Sequence, residues 1–214
     1  MTMALNDFLK NALIENNQVL SDVQQTRILQ YLDLLTRWNR ITNLTRITTP
    51  SDMVMLHIID SLSINPFLQG MTLLDVGSGA GAPGIPLAII HPEKKFTLLD
   101  SQQKKVLFLR QVILELKLNH VEVIHARVED FKPVDCFDMI LTRAFASLKL
   151  MLLACTHLLN THGQFLAMKG LYPHKELQEI PPGFQVQAVH PLLIKGLHAE
   201  RHLVCIKKDT SWEK

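Results

Sequence analysis

The stretch MTLLDVGSGAGAPG, residues 71–84, decides the fold of this chain. A short apolar run, 72–76, precedes three closely spaced glycines, as expected for a buried parallel strand that ends in a tight turn. Pro83 suits the first turn of a following helix, where its missing N–H would have no intrahelical partner. The order strand, glycine loop, helix places free backbone N–H groups where they can meet a ligand.

Extended and helical segments alternate after this loop. We predict strands near 71–76, 95–100, 121–125 and 137–142, with helices near 84–91, 103–117 and 147–160. This order is typical of a parallel α/β sheet that is covered on both faces. Three further extended segments, 164–169, 184–194 and 200–208, have little helix between the last two, so we expect an antiparallel pair at one sheet edge.

The first 70 residues read as three helices. Apolar residues recur with helical spacing from Leu5, and Ser21 with Gln24 has the spacing of a capping box before a second helix. A third helix is predicted after Pro50, with Ser51 as its N-cap. Pro66 and Gly70 are expected to end this helical region.

Composition excludes several classes of protein. The chain has 214 residues, 47% hydrophobic and 20% charged, which is too short for two substantial cores and too apolar for a disordered protein. Its net charge of +2 gives no strong field for non-specific nucleic-acid binding. Three distant cysteines, with no C-x-x-C pair, argue against a disulfide framework and a thiolate zinc site. With no signal peptide or apolar run of membrane-spanning length, a cytoplasmic protein is expected.

The loop alone leaves its ligand open. Two overlapping glycine patterns, beginning at Gly77 and at Gly79, satisfy a dinucleotide fingerprint, and Asp100 lies where a carboxylate would accept hydrogen bonds from ribose hydroxyls. Both features fit NAD as well as any other adenosine cofactor. Asp75 favours S-adenosylmethionine, because a carboxylate beside the loop would repel a pyrophosphate but attract a cationic ligand. A glycine-rich turn without a ligand is the alternative.

An ordered set of short motifs spans nearly the whole chain and resembles one family, the bacterial small-subunit ribosomal RNA guanine-N7 methyltransferases RsmG, also called GidB. The motifs that carry the resemblance are Trp38-Asn39, Asn43-Leu44-Thr45, HIIDS (57–61), DVGSGAGAPGIPL (75–87), Leu99-Asp100-Ser101, Lys104-Lys105, Phe108-Leu109-Arg110, Arg127-Val128-Glu129, RAFAS (143–147), Lys169-Gly170 and Glu200-Arg201-His202.

The resemblance implies a Rossmann-like class I methyltransferase fold: a mostly parallel seven-stranded sheet with an antiparallel last strand and an N-terminal helical cap. We interpret residues 1–70 as this cap, part of one compact unit, and 71–214 as the S-adenosylmethionine-dependent methyltransferase domain. The resemblance also implies cofactor contacts from Gly77, Ala82, Val128, Glu129 and Arg143. The loop reading adds four more candidates: Asp75, Gly79, Gly81 and Asp100.

The substrate implied by the resemblance is a guanine N7 in 16S rRNA, free or in the 30S subunit, with a monomeric enzyme and no metal. N7 carries a lone pair and no proton, so its attack on the methyl group needs no general base, and catalysis is mainly positioning. The deep, narrow major groove of paired RNA hides N7, so the target should be unpaired or flipped out. Arg143 is the candidate catalytic residue, as a donor to O6 or to a phosphate.

Further residues are predicted on the substrate side. His57, Asp60 and Ser61 are spaced to share one helical face and are expected to line the pocket from the cap. Asn43 and Thr45 follow an apolar helix, and the alternative is that they only make its turn; a pocket role for them is implied by the resemblance alone. Basic residues are candidates for RNA phosphate contacts: Lys104, Lys105, Arg110, Arg127, Lys169, Arg201 and His202.

Two alternative functions remain open at this point. An NAD-dependent oxidoreductase would account for the glycine spacing and the acid after the second strand, although no hydride-transfer site is evident. A non-catalytic RNA-binding ribosome-assembly factor with a vestigial cofactor pocket is the other. The modest net charge suits a substrate that is recognised partly through assembled protein.

Overall fold

A computed structural model describes residues 3–209 and contains one seven-stranded sheet, in the order β3-β2-β1-β4-β5-β7-β6. The strands are β1 (Thr72–Val76), β2 (Lys95–Asp100), β3 (Val121–His125), β4 (Phe137–Arg143), β5 (Leu159–Lys169), β6 (Phe184–Pro191) and β7 (His202–Lys208).

Strand directions agree with the prediction. The pairs from β3 through β5 are parallel, while β7 lies antiparallel between β5 and β6 at one edge. The chain after β1 therefore runs to β2 on one side, and β4 lies on the other. The carboxyl ends of β1, β2, β3 and β4 meet at one edge, where ligands of open α/β sheets bind.

The helices of this structure vary widely in length. They are α1 (Met3–Glu15), α2 (Asp22–Thr42), α3 (Pro50–Met53), α4 (Asp60–Leu62), α5 (Gly84–Ile90), α6 (Gln103–Leu116), α7 (Leu148–Cys155) and α8 (His174–Gln178). Short 3₁₀ turns cover Asn65–Phe67 and Thr156–Leu158. Among the described residues, no helix combines the length and the apolar character needed to cross a bilayer.

The N-cap predicted for α2 is confirmed, and the one predicted for α3 is wrong. The Ser21–Gln24 capping box at the start of α2 is present in full. At α3, however, the N-cap is Thr49 and not Ser51, because the Thr49 hydroxyl accepts the Asp52 N–H and Pro50 occupies the first helical turn.

A π-helical segment, Val54–Ile59, joins α3 to α4 and was not anticipated. Such wider turns interrupt α-helices mostly as single turns, often at functional sites. This one carries His57 and delivers Asp60 at its end, so it shapes the cap side of the site described below.

Two apolar layers cover the sheet, because neighbouring strand residues face opposite sides. Leu73 packs with the cap helices, α5 and α6, whereas Leu74 packs with α7. Tyr31 of α2 is fully buried in the first layer, and its hydroxyl donates to the Ala80 carbonyl at 2.6 Å. The cap therefore holds the glycine loop directly.

Three predicted boundaries were wrong. The helix expected over 147–160 ends at Cys155, and the strand expected to begin at 164 begins at Leu159 after a 3₁₀ turn. The polar stretch 160–162 lies within β5, because Leu159 already pairs with Phe137 of β4. The extended segment expected to reach residue 194 ends at Pro191; beyond it, Leu192 and Ile194 turn into the core from a loop.

Candidate functional site

The glycine loop opens at the carboxyl edge of the sheet through Gly77. Its N–H donates to the Leu99 carbonyl at 2.8 Å, and its φ of +73° is a left-handed value that favours glycine. A Cβ at this position would lie 3.3 Å from Cδ2 of Phe145. Gly77 therefore keeps open the space between the loop and the Phe145 ring.

The later part of the loop is packed inward. Gly81 and Ala82 are buried, and a Cβ on Gly81 would lie 2.7 Å from Cγ1 of Ile85. Gly84, at the start of α5, has no room for a side chain either. A Cβ added there would overlap Leu98 and lie 2.7 Å from Oδ2 of Asp75. The structure thus gives Gly81 and Ala82 a packing role within the loop, whereas the sequence predicted cofactor contacts for both.

Asp100 ends β2 and braces the loop. One carboxylate oxygen accepts the Gly79 N–H and the other accepts the Gln102 N–H, both at 2.8 Å. The side chain is only 5% exposed, but it borders a cleft at this edge of the sheet. Each of its carboxylate oxygens has a second lone pair available. The helix-capping contact near Gln102 and the ribose contact predicted from the sequence are therefore compatible.

One cleft brings together four of the nine predicted cofactor residues, Gly77, Asp100, Val128 and Glu129; we call it the cofactor cleft. Its volume is about 310 Å³, within the range of small-molecule sites. Its walls come from the ends of β1, β2, β3 and β4: Val76, Gly77, Leu99, Asp100, Ser101, Gln102, Lys105, Ala126, Arg127, Val128, Glu129, Ala144 and Phe145. The open Gly77 backbone, the acid at Asp100 and the apolar wall at Val128 fit an adenosine-containing cofactor.

Asp75 lies under the loop and not in the wall of this cleft. Its Oδ2 accepts the Gly84 N–H at 3.0 Å, while Oδ1 is buried with no hydrogen-bond partner among the described residues. Burial raises the pKa of this carboxyl from 3.8 to about 7, against the lowering effects of the Gly84 bond and the Arg143 charge. Asp75 therefore holds the start of α5 at a cost in desolvation.

The raised pKa of Asp75 predicts a pH effect on stability. Between about pH 4 and pH 7 the folded state holds a proton that the unfolded state has lost, so the free energy of unfolding falls as pH rises. Asp75→Asn removes this contribution and can still accept the Gly84 N–H. Relative to this variant, the free energy of unfolding of the wild type should fall by on the order of a few kcal/mol between pH 4 and pH 7. Urea unfolding of both proteins across that range measures the difference, and a constant difference would contradict it.

A second cleft adjoins the first, and we call it the substrate cleft. Its volume is about 470 Å³, and it shares Ala144 and Phe145 with the cofactor cleft. The cap, the end of β4 and the β5–β7 edge supply its walls: Thr45, Ile47, Leu56, His57, Asp60, Arg143, Ala144, Phe145, Met168, Lys169, Gly170 and Arg201.

Arg143 lies in the substrate cleft, fixed by three contacts to the cap. Its Nη1 donates to the Leu56 carbonyl at 2.6 Å and lies 3.3 Å from Oδ2 of Asp60, and its Nη2 lies 3.3 Å from Nδ1 of His57. The other oxygen of Asp60 accepts from Nε of Arg201 at 3.0 Å. Asp60, almost fully buried, thus aligns two guanidinium groups at one wall.

The structure separates the other residues predicted on the cap side. His57 lines the cleft, but Ser61 is fully buried and its hydroxyl donates to the His57 carbonyl at 2.6 Å. Asn43 is exposed, adopts a left-handed conformation with φ of +49°, and caps the end of α2. Thr45, which the resemblance placed there together with Asn43, does line the cleft. Ser61 and Asn43 therefore have visible structural roles.

Only some of the residues predicted to contact RNA phosphates lie at a cleft. Lys104 donates to the Thr42 and Asn43 carbonyls and so ties α6 to the cap, while Lys105 lies in the cofactor cleft, 3.8 Å from Oδ2 of Asp100. Arg127 borders the cofactor cleft, and Arg110 is exposed on α6.

Lys169 and His202 lie at the β5–β7 edge with Arg201. Lys169 lines the substrate cleft and pairs with Glu176 at 2.8 Å. His202 contacts the Gly170 carbonyl at 2.8 Å through Nδ1, beside the same cleft.

Sequence reasoning missed Phe145 as the wall common to both clefts and Tyr31 as the tether of the loop. Phe145 stands in the quoted motif after β4, which was a usable signal, whereas Tyr31 was visible only as one apolar position of a helix. Within residues 3–209, no group of three or more His, Cys, Asp or Glu side chains is arranged to hold a metal ion.

Comparisons with known proteins show a similar family. The model of one family, described as rRNA small subunit methyltransferase G (GidB), matches residues 24–204. A similar protein from Stutzerimonas stutzeri (strain A1501), named ribosomal RNA small subunit methyltransferase G, is 50% identical over 193 residues, which is 89% of this chain and 90% of that protein.

Solved structures are similar in fold. Coclaurine N-methyltransferase bound to N-methylheliamine and S-adenosylhomocysteine has a TM-score of 0.60 at 12% identity, covering 96% of this chain and 94% of that one. The glycopeptide N-methyltransferase MtfA complexed with S-adenosylmethionine has a TM-score of 0.59 at 12% identity, covering 72% and 95%. At this identity the likeness concerns the fold, which is that of class I methyltransferases as predicted.

Proposed function

This chain belongs to the rRNA small subunit methyltransferase G (GidB) family, and from that membership we propose that it transfers the methyl group of S-adenosylmethionine to N7 of a guanine in 16S rRNA. The observation that carries the proposal is the pair of adjoining clefts that share Ala144 and Phe145. A donor held in one cleft and a base held in the other can meet at this shared wall.

The residues of the cofactor cleft suit the parts of S-adenosylmethionine. When bound, this cofactor supplies an electrophilic methyl group on a positively charged sulfur. Asp100 would accept hydrogen bonds from the ribose hydroxyls, and the segment Val128–Glu129 would contact the adenine. The open backbone at Gly77 lets the cofactor approach the main chain closely. Loss of the methyl group would give S-adenosylhomocysteine as the product.

The residues of the substrate cleft orient the base. N7 attacks with its own lone pair and no proton has to be removed, so no side chain acts as a general base. His57 fits this mechanism, because burial and the Arg143 charge lower its pKa to about 3 and keep it neutral at physiological pH. Arg143, held by Asp60 and His57, fixes the position of the target, which is where the rate enhancement arises.

The family description names an rRNA methyltransferase. It therefore argues against both alternative functions, the NAD-dependent oxidoreductase and the non-catalytic assembly factor. For the substrate we propose the 30S subunit or an assembly intermediate, acted on by a monomer in the cytoplasm. The net charge of +2 supports this, because weak attraction to naked RNA suits recognition that includes ribosomal protein.

A transfer assay tests the proposed function. Purified protein is incubated with methyl-labelled S-adenosylmethionine and 16S rRNA, either free or in 30S subunits from cells that lack the enzyme. We expect label in the rRNA, faster in subunits, at a guanine that becomes sensitive to borohydride and aniline cleavage, as N7-methylguanine is. Label at another atom, or no label in either substrate, would contradict the proposal; a higher rate on free RNA would overturn the subunit preference only.

A further inference from the structure

A chain of hydrogen bonds crosses the wall of the substrate cleft from Arg143 through His57 to Thr45. Nη2 of Arg143 lies 3.3 Å from Nδ1 of His57, and Nε2 of His57 lies 3.3 Å from Oγ1 of Thr45. A guanidinium can only donate, so Nδ1 accepts. Because the imidazole is neutral, its single N–H is on Nε2 and donates to the Thr45 hydroxyl.

The Thr45 oxygen accepts a second hydrogen bond, from the Ile47 N–H at 3.1 Å. A hydroxyl oxygen has two lone pairs and one hydrogen, so two accepted bonds leave the hydrogen as the remaining polar function. Among residues 3–209 the structure shows no acceptor for that hydrogen. Thr45 lines the substrate cleft, so its O–H is a donor available to a ligand there.

The backbone around Thr45 is also fixed. Its N–H donates to Oδ1 of Asn39 at 2.8 Å, and Asn39 is itself buried. The polarity of the hydroxyl and its position are therefore set before any substrate arrives, which is the condition for discriminating between ligands by hydrogen bonding.

Guanine and adenine differ at the position that such a donor would read. Beside N7, guanine carries the acceptor O6, whereas adenine carries an N6 amino group that donates. A donor on N7 itself would block the lone pair that attacks the methyl group, so a productive donor must go to O6. We propose that the Thr45 hydroxyl donates to O6 of the target base and makes the substrate cleft specific for guanine.

This assignment rests on the proposed function. It gives Arg143 and Thr45 different roles in orienting the base. Nη1 of Arg143 donates to the Leu56 carbonyl and lies 3.3 Å from Oδ2 of Asp60, and Nη2 donates to His57, so the guanidinium is held against the cap. Arg143 therefore acts on this hydroxyl through His57, by fixing which imidazole nitrogen carries the proton. Thr45 makes the contact with the base.

The first test replaces the hydroxyl by a methyl group of the same shape. Thr45→Val should lower kcat/KM for rRNA about 10-fold to 100-fold, the usual effect of leaving a polar partner unpaired, with unchanged affinity for S-adenosylmethionine. Thr45→Ser should recover most of the activity that the Val variant loses. Thr48→Val, an exposed change in the same loop, is the matched control.

The second test separates recognition of O6 from a structural role, because Thr45→Val also removes the acceptor for the Ile47 N–H and for Nε2–H of His57. The target guanine, once mapped, is replaced in reconstituted 30S subunits by 2-aminopurine, which keeps N7 and lacks O6. The wild type should prefer guanine about 10-fold more strongly than Thr45→Val does, since the two changes remove the same bond. An equal preference in both enzymes would overturn the proposal. If the wild type methylates no guanine at all, the proposed function itself fails.

Discussion

Arg143→Ala is expected to lose at least about 100-fold in the rate of methyl transfer to rRNA while it stays folded and binds S-adenosylmethionine normally. Displacement of a reacting group by about 1 Å can cost that much, and Arg143 fixes one wall of the substrate cleft. The cofactor should be unaffected, because Arg143 lines the substrate cleft, whereas sequence resemblance had placed it among the cofactor contacts.

The fold should survive this substitution because Asp60 keeps a second partner. Its Oδ1 still accepts from Arg201, so the buried Asp60 carboxylate keeps a cation. Arg143→Lys should remain at least about 10-fold impaired, since a lysine has no planar fork to reach Leu56 and His57 together.

The measurement for Arg143 is single-turnover methylation, with calorimetric titration of the cofactor and thermal unfolding in parallel. Arg37→Ala, which removes an exposed arginine paired with Asp33 on α2, is the matched control and should be active. Near-normal transfer by Arg143→Ala, or a loss explained by unfolding, would refute the role.

The sheet was predictable because each of its first four strands is a short apolar run that ends at a polar or glycine signal. The boundaries of β1 and β2 agree with the sequence to one residue, and Asp100 ends β2 as expected. Local rules suffice there, since a buried parallel strand and the loop after it are specified by consecutive residues. The gathering of Gly77, Asp100 and Val128 in one cleft follows from the meeting of carboxyl ends at one edge.

The substrate cleft was only partly predictable because its contacts join distant residues. Asp60 meets Arg143 and Arg201, which are 83 and 141 positions away, and spacing says nothing about which charges will pair. The prediction that Ser61 shares a face with His57 assumed α-helical geometry, but His57 lies in a π-helical turn. Burial of Asp75 under the loop was likewise hidden, because its neighbours come from α5 and not from the adjacent sequence.

The second large effect concerns Asp100. Asp100→Ala should weaken the affinity for S-adenosylmethionine about 30-fold or more, because hydrogen bonds to a charged carboxylate are each worth roughly 1.5–3 kcal/mol. The variant would lose the proposed ribose contact and also leaves the Gly79 and Gln102 N–H groups without their acceptor. Asp100→Asn, which keeps one acceptor oxygen, should lose less.

The two roles of Asp100 can be separated with ligands that lack the ribose hydroxyl. Calorimetry compares methylthioadenosine with its 2′-deoxy analogue on the wild type and on Asp100→Ala. If the carboxylate binds the ribose, deletion of the hydroxyl weakens binding to the wild type and hardly changes binding to the variant. If Asp100 only braces the loop, deletion of the ligand's hydroxyl weakens binding to both proteins by the same factor, and the ribose assignment is wrong. Because Asp100 lies at the cleft with its backbone bonds already made, we expect the first result.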